Sequence, residues 1–172
     1  GFVEQVSQDE TWVFKRPGVM PYTAISGSIG GGIFNWLGDI YAVVNGSLFK
    51  NGVYRGALNA DGSPWSFTGI MGATQKLFLK CNSYSYLYDD MNGIVFIDPN
   101  VKSIPHPTSN GFAYLDGTLY LAKTPHSIYG SGINDPTTWD SLNVLQAQIE
   151  PDAIVALNKQ LVYVIAFKQW SV

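Results

Sequence analysis

Short apolar runs separated by turn residues recur along the whole chain. The clearest runs cover residues 40–44, 77–79, 94–97, 119–121 and 161–166. They are rich in β-branched and aromatic residues and too short for helices, so they predict strands. Asn-Gly or Asp-Gly pairs at 45–46, 51–52, 61–62, 92–93 and 116–117 accept the positive φ of tight hairpins. The pattern predicts an all-β fold.

One segment is compatible with a helix. Between residues 139 and 149, apolar side chains stand at Leu142, Leu145 and Ile149, and Pro151 follows as a stop signal. Val144 and the preceding pair of threonines favour a strand instead. The sequence leaves both interpretations open for this segment.

The apolar runs form an internal repeat. Aligned runs start at Ile40, Leu77, Leu119 and Leu161, with spacings of 37, 42 and 42 residues. Each is followed eight to ten residues later by a further large apolar residue: Leu48, Leu87, Ile128 and Trp170. A period near 40 residues with about four strands per unit is typical of a β-propeller blade. The alternative is a β-sandwich whose hairpins resemble one another.

Four such units account for roughly 160 residues, so the chain supplies about four blades. It stops directly after a strand pair, and we expect the blades to belong to an incomplete or larger propeller. Residues 1–32 are expected to form an N-terminal extension, a glycine-rich linker and the strand leading into the blades, which occupy 33–172. The glycine run at 27–32 resembles a dinucleotide loop, but residues 33–37 indicate a strand where a phosphate-binding helix would be needed.

Composition narrows the functional classes. Hydrophobic residues make up 46% of the chain and charged residues 13%, the opposite of a disordered protein. The net charge of −3 argues against nonspecific nucleic-acid binding, which requires a basic surface. No apolar stretch reaches the roughly 18 residues of a membrane helix. The single cysteine, Cys81, cannot form an internal disulfide.

The residues suited to catalysis or metal binding are few and scattered. Glu4, Glu10 and Glu150 are the only glutamates, and Asp89 and Asp90 are adjacent, so their side chains should point to opposite sides of a strand. The two histidines stand alone, without metal-ligand spacing. The sequence therefore predicts no enzyme activity, cofactor or metal. The candidate residues are structural or interface aromatics in or next to the predicted strands: Trp36, Tyr120, Trp139 and Trp170, of which the last three are expected to pack between blades.

Residues 134–139 resemble the aspartate-box hairpin of sialidase-type propellers. The closing Thr138-Trp139 pair matches, whereas Asn134 replaces the aspartate and Pro136 the glycine of that box. Such boxes are structural turns, so the likeness bears on fold more than on activity. The sialidase arginine cluster is absent, because Arg16 and Arg55 are the only arginines.

The C-terminal half resembles the tail accessory, or packaged-DNA stabilisation, proteins of short-tailed bacteriophages. The resemblance rests on the order of several motifs: the Gly-Phe-Ala-Tyr-Leu-Asp-Gly-Thr-Leu-Tyr run at 111–120, Ser-Ile-Tyr at 127–129, Asp-Pro-Thr-Thr-Trp-Asp-Ser-Leu at 135–142, Glu-Pro-Asp-Ala-Ile-Val at 150–155, Leu-Val-Tyr-Val-Ile at 161–165, and Trp170. Residues 15–18, Lys-Arg-Pro-Gly, also resemble the Arg-Pro-Gly segment before the first blade of tail nozzle proteins.

The resemblance implies a virion structural protein of the phage tail or head-to-tail junction. Its members are propeller-bearing subunits of a homo-oligomeric ring, so the expected partners are copies of itself, other tail or connector proteins, and a portal or adaptor ring. Neither a membrane nor sequence-specific nucleic acid is implied. Two other classes stay open: a carbohydrate-binding or sialidase-like propeller, and a cellular protein-interaction propeller.

Overall fold

The computed structural model describes residues 2–6, 11–15, 22–97, 112–123, 126–147 and 152–170. These ranges hold strands and no helix, which confirms the all-β prediction. No described segment is a helix that could cross a membrane. The strands are β1 Phe2–Val6, β2 Thr11–Lys15, β3 Gly30–Trp36, β4 Asp39–Val44, β5 Ser47–Lys50, β6 Val53–Ala57, β7 Ser66–Ile70, β8 Lys76–Lys80, β9 Ser85–Asp89, β10 Gly93–Phe96, β11 Phe112–Leu115, β12 Thr118–Lys123, β13 Ser127–Gly132, β14 Asp135–Gln146, β15 Ile154–Gln160 and β16 Tyr163–Lys168.

Every sheet is an antiparallel meander of strands that follow one another in the chain. Three sheets have four strands each: the first sheet (β3 to β6), the second sheet (β7 to β10) and the third sheet (β11 to β14). Two further sheets have two strands: the N-terminal hairpin (β1 and β2) and the C-terminal pair (β15 and β16). Hairpins need few linking residues, which is why this meander order suits a chain with so many turn dipeptides.

The predicted repeat corresponds to the second strand of successive sheets. The runs beginning at Ile40, Leu77 and Leu119 lie in β4, β8 and β12, each in a separate sheet. The fourth run was expected to begin a strand at Leu161, but Leu161 lies in a tight turn with a φ of 53°. The strand β16 begins only at Tyr163.

The segment that could have been a helix is a strand. β14 covers Asp135–Gln146 and pairs antiparallel with β13, with a register shift between Tyr129 and Ser131. The helical spacing of Leu142 and Leu145 was misleading, because hydrogen bonding to β13 decides the conformation here. β-branched residues such as Val144 fit that pleated geometry.

From Gly30 onward, the glycine run at 27–32 belongs to the strand β3 rather than to a linker. Gly31 and Gly32 lie in β3, where a Cβ on Gly31 would come within 2.6 Å of Cδ1 of Trp65, and one on Gly32 within 2.7 Å of the Trp65 carbonyl oxygen. The glycines therefore let the connection between the first and second sheets lie directly against β3.

Most of the predicted hairpin dipeptides form turns. Asn45, Asn51 and Asp116 all have positive φ, each followed by a glycine that also has positive φ. The Asp61-Gly62 pair instead lies in the connection between β6 and β7, so it joins two sheets rather than two strands of one sheet.

Three apolar cores lie between successive sheets. The core between the first and second sheets includes Tyr41, Val43, Leu48, Trp65, Leu77, Leu79 and Tyr88. The core between the second and third sheets includes Ile70, Phe78, Leu87, Leu119, Leu121 and Trp139. The core between the third sheet and the C-terminal pair includes Ala113, Ala122, Ile128, Ile154 and Leu157. β8 therefore contributes neighbouring side chains to two different cores.

The first strands of successive sheets are neighbours in space. β3 lies beside β7, β7 beside β11, and β11 beside β15. At the outer side of the first two sheets, β6 also contacts β10. The sheets thus follow one another face to face, with their first strands toward a common side.

Burial of both faces of β8 gives a testable expectation. Phe78 and Leu79 are adjacent and both fully buried, one in each neighbouring core. We expect Phe78→Ala and Leu79→Ala each to lower the free energy of unfolding by about 2–5 kcal/mol, measured by urea denaturation. Ser66→Ala, at an exposed position of the same sheet, is the control. A strand with one solvent-facing side would tolerate one of the two core substitutions, which would contradict this packing.

Candidate functional site

A groove runs along the first strands of the first three sheets and the C-terminal pair. Its volume is about 390 Å³. The lining residues are Trp36 of β3, Phe67, Thr68 and Gly69 of β7, Phe112, Ala113 and Tyr114 of β11, and Asn158 and Lys159 of β15. We call it the first-strand groove. Four successive sheets contribute to this groove, so it depends on how the sheets are arranged.

Trp36 forms one wall of this groove. It is the last residue of β3, and its indole lies directly over Gly69 of β7, where a Cβ would overlap the indole nitrogen. The rings of Phe34 and Phe67 stack beside it, with centroids 5.8 Å apart and planes 4° apart. The Trp36 ring itself contacts Tyr41 of the same sheet, with centroids 6.1 Å apart, and Gly69 provides the space that the indole needs.

A smaller cleft of about 250 Å³ lies on the other side of Trp36, between the first and second sheets. Lys50, at the end of β5, is its central residue. The Lys50 Nζ atom lies 3.0 Å from Oδ2 of Asp39 in the first sheet and 2.6 Å from Oδ2 of Asp90 in the second. Tyr88 donates a hydrogen bond from its hydroxyl to Oδ1 of Asp90, at 2.6 Å. We call these four residues the charged clasp.

The charges of the clasp satisfy one another. Burial disfavours the Lys50 ammonium, but its hydrogen bonds with Asp90 and Asp39 outweigh this cost and raise its pKa. The pKa of Asp90 is lowered by its hydrogen bonds with Lys50 and Tyr88, and that of Asp39 by hydrogen bonds with Asn51 and Lys50. Burial and the Asp90 carboxylate raise the pKa of Tyr88 to about 12. The clasp is a stable ion-paired junction rather than a source of a reactive acid or base.

Asp89 and Asp90 act separately, as their adjacency predicted. The Asp89 Oδ1 atom accepts hydrogen bonds from the backbone amides of Met91 and Asn92, at 2.9 and 2.7 Å, and so caps the turn between β9 and β10. Asp90 instead extends to Lys50 of the neighbouring sheet. One carboxylate shapes the local turn and the other joins two sheets.

The hairpin at 134–139 is organised by Asp135. Oδ1 of Asp135 accepts a hydrogen bond from the Thr137 amide at 3.0 Å, and Oδ2 accepts one from the Thr138 hydroxyl at 2.6 Å. The Trp139 indole donates to the Pro136 carbonyl at 2.9 Å. The aligned position, Asn134, accepts a hydrogen bond from the Tyr114 hydroxyl at 2.6 Å. The aspartate of this turn is thus displaced by one residue from the aspartate-box position.

The four candidate aromatics have different surroundings. Trp139 is buried in the core between the second and third sheets, and Tyr120 packs partly buried against the next core. Trp36 lines the groove and the clasp cleft. Trp170, expected to pack between blades, follows β16 and is 83% exposed. Within this chain the packing expectation is wrong for Trp170.

Sequence reasoning missed Lys50 and Asp39. Lys50 and Asp90 are 40 residues apart, and each is an ordinary charged residue beside a turn. Only the face-to-face arrangement of two sheets brings them together. Among the described residues no group of three or more His, Cys, Asp or Glu side chains is arranged to hold a metal ion. His106, Glu10 and Glu150 lie outside those residues.

No protein-family model matches the chain, and no similar protein is found among the curated ones.

The charged clasp predicts a pH-dependent stability. We expect Lys50→Met to lower the melting temperature by roughly 2–4 °C at pH 7, because Asp39 and Asp90 then face each other without the cation. The pKa values of both aspartates are lowered in the folded state, so their contribution is lost as the pH falls below 3.8. The raised pKa of Lys50 keeps its contribution up to pH values above 10.5.

Thermal denaturation of both proteins from pH 2.5 to pH 11 tests this expectation. The difference between wild type and Lys50→Met should be constant near neutrality and disappear at the acid end. Lys159→Met removes an exposed lysine as a matched control. An acid-independent difference would show that Lys50 acts through packing alone.

Proposed function

We propose that the protein is a structural subunit of a bacteriophage tail or head-to-tail junction, built from β-propeller blades and working within an oligomeric ring. The proposal has three supports: the arrangement of the sheets, the apolar character of one end of the molecule, and the order of motifs in the C-terminal half.

The sheet arrangement fits propeller blades. Each complete sheet is a four-stranded antiparallel meander, and each packs a whole face against the next. The first strands adjoin in chain order and line one groove, as the inner strands of blades line a central channel. The three complete sheets and the C-terminal pair correspond to the four repeat units.

The turns at one end of the sheets carry exposed apolar side chains, and this observation carries the functional proposal. These side chains are Leu37, Met91, Ile133 and Leu161, which are 56%, 88%, 77% and 81% exposed. We call them the apolar tips. The turns share one end because the strands alternate in direction, and Gly72 of the β7–β8 connection lies against Asn134 of the β13–β14 turn.

Two of the apolar tips occupy strained backbone positions. Leu37 and Leu161 have φ values of 54° and 53°, a region that favours glycine, asparagine or aspartate. The chain uses Asp116 at the equivalent turn of the third sheet, with a φ of 49°. A bulky leucine costs more there than aspartate, and it gains nothing from burial within the chain. Contact with another protein explains its presence.

Side-chain hydrogen bonds hold the turns at the opposite end. Asn45 accepts hydrogen bonds from the amides of Ser28 and Ile29 through its side-chain oxygen. Asp61 binds the amides of Ser63 and Ser83 at 3.0 and 2.7 Å, which joins the inter-sheet connection to the β8–β9 turn. The turns at this end are thus fixed by polar side chains, whereas four turns at the other end expose large apolar ones, as expected for a subunit that stacks on another ring of proteins.

The phage assignment rests on the motif order described above. Residues 112–120 form β11, its turn and the start of β12, residues 135–142 lie in β14, and residues 154–165 form most of the C-terminal pair. The resemblance thus covers the third sheet and the C-terminal pair together. Tail proteins with such motifs assemble into rings without performing catalysis.

Mass spectrometry and immunogold electron microscopy of purified particles test the proposal. We expect the protein to be present in particles of the phage whose genome encodes it, with label at the tail or tail vertex. In a complementation assay, Leu37→Asp and Met91→Asp should reduce its incorporation at least severalfold. Ile29→Asp, which replaces an equally exposed residue at the opposite end, should be incorporated normally.

Absence of the protein from intact particles would overturn the assignment. A cellular interaction propeller would give that result. Equal incorporation of the tip variants and the control would instead show that the apolar tips do not form the assembly contact.

A second candidate is a carbohydrate-binding propeller. The first-strand groove favours it, because Trp36 and Tyr114 with Asn158 and Lys159 combine aromatic surfaces and polar groups in one open groove. A glycan array distinguishes the two: specific binding that is lost in Trp36→Ala, with the fold retained by circular dichroism, would support this candidate over the structural one.

A further inference from the structure

The N-terminal hairpin and the C-terminal pair have the size of two halves of one sheet. The three other sheets have four strands each, and these two have two strands each. Their sequence positions make them complementary. In every complete sheet the first strand is the inner one, beside the first strands of the neighbouring sheets. The chain runs from it to the outer strand and then passes to the first strand of the next sheet.

The two halves correspond to different parts of a sheet. β2 precedes β3 along the chain as β6 precedes β7, so the N-terminal hairpin has the place of an outer pair. β15 lies beside β11 and β12, so the C-terminal pair is an inner pair. A sheet with the strands β15, β16, β1 and β2 side by side would have two inner and two outer strands, as each complete sheet has.

The C-terminal pair leaves the neighbouring surface uncovered where an outer pair would lie. Leu145 of β14 is directly opposite Ile128 of β13, so both side chains are on the same face of the third sheet. Ile128 is buried against the C-terminal pair, whereas Leu145 is 59% exposed. In the first two sheets the outer strands β6 and β10 contact each other, and the Ile94 side chain lies against Gly56. This uncovered surface adjoins the core between the third sheet and the C-terminal pair.

The edge of the C-terminal pair is also apolar. Among the described residues β16 pairs only with β15, and its Tyr163 and Phe167 are 68% and 37% exposed. Natural proteins cover or block such edges, because an unpaired strand edge invites pairing with another chain.

The charges of the two halves are opposite. Residues 2–15 contain Glu4, Asp9, Glu10 and Lys15, a net charge of −2. In residues 152–170, Asp152 and Lys168 pair with each other at 3.1 Å, and Lys159 leaves a net charge of +1. Charge complementarity of this kind favours one docking partner over others.

We propose that the N-terminal hairpin of a second copy of the chain pairs with β16 and completes the C-terminal pair as a four-stranded sheet. A second copy is favoured because β3 and β15 do not adjoin among the described residues, whereas each successive pair of first strands does. The described sheets therefore form an arc that is open between β3 and β15, and the N-terminal hairpin contacts no other described strand. Two chains that exchange hairpins in this way contribute eight four-stranded sheets. The inference rests on the propeller part of the proposed function, not on its phage part.

Cysteine cross-linking of the 172-residue chain tests the pairing. Cys81 is 2% exposed, so it should not compete with introduced cysteines. The protein carrying Gln5→Cys is mixed with the protein carrying Ile165→Cys and treated with a short bismaleimide. We expect a dimer band on a denaturing gel from the mixture. Replacing Ile165→Cys with Arg55→Cys, on the outer strand of the complete first sheet, should abolish the band.

A substitution in the uncovered surface provides an independent test. Leu145→Asp should weaken self-association by about tenfold or more, measured by analytical ultracentrifugation, because the hairpin would bury the new carboxylate. It should leave the melting temperature of the dilute monomer nearly unchanged, since Leu145 is exposed there. Val95→Asp, at a 43% exposed position of β10, is the matched control.

Three results would overturn the proposal: a monodisperse monomer at high concentration, no dimer band from the mixed variants, or a double variant that cross-links only within one chain. The last result would show that the hairpin completes the sheet of its own chain. None of these measurements involves phage particles. The self-association can therefore fail while the virion assignment stands, and the virion assignment can fail while the self-association stands.

Discussion

The structure depends on strands that are buried on both faces. Phe78 and Leu79 in β8, and Leu121 and Ala122 in β12, are adjacent residues with almost no exposed surface, and each pair divides between two cores. A sheet with two apolar faces cannot remain in water alone, because each face must be covered by another sheet. The fold is therefore an array in which each sheet is stabilised by its neighbours on both sides.

This constraint also creates the candidate sites. The first-strand groove exists because the inner edges of successive sheets meet, and the charged clasp exists because the ends of β5 and β9 become neighbours. Neither site is a property of one hairpin. The clasp adds a directional contact to a nondirectional apolar interface: Lys50 can satisfy both Asp39 and Asp90 only when the first two sheets are aligned.

The same constraint explains why the C-terminal end of the array has uncovered apolar surface. The C-terminal pair leaves Leu145 of β14 exposed, and its own Phe167 and the following Trp170 are exposed as well. The apolar tips add a second uncovered surface, at right angles to the sheet faces. A protein built in this way is suited to assembly, with one surface for lateral neighbours and another for an axial partner. This view unites the proposed ring subunit with the proposed exchange of hairpins.

Local sequence determined the strands and most turns, because short runs of β-branched and aromatic residues favour extended backbone and Asn-Gly or Asp-Gly pairs favour tight turns. The repeat beginning at Ile40, Leu77 and Leu119 was read correctly for this reason. Tertiary structure decided the rest. Pairing with β13 made β14 a strand, close approach of Trp65 placed Gly31 and Gly32 in β3, and sheet packing joined Lys50 to Asp90 and left Trp170 exposed. These outcomes depend on residues distant in the chain, whose proximity no local pattern encodes.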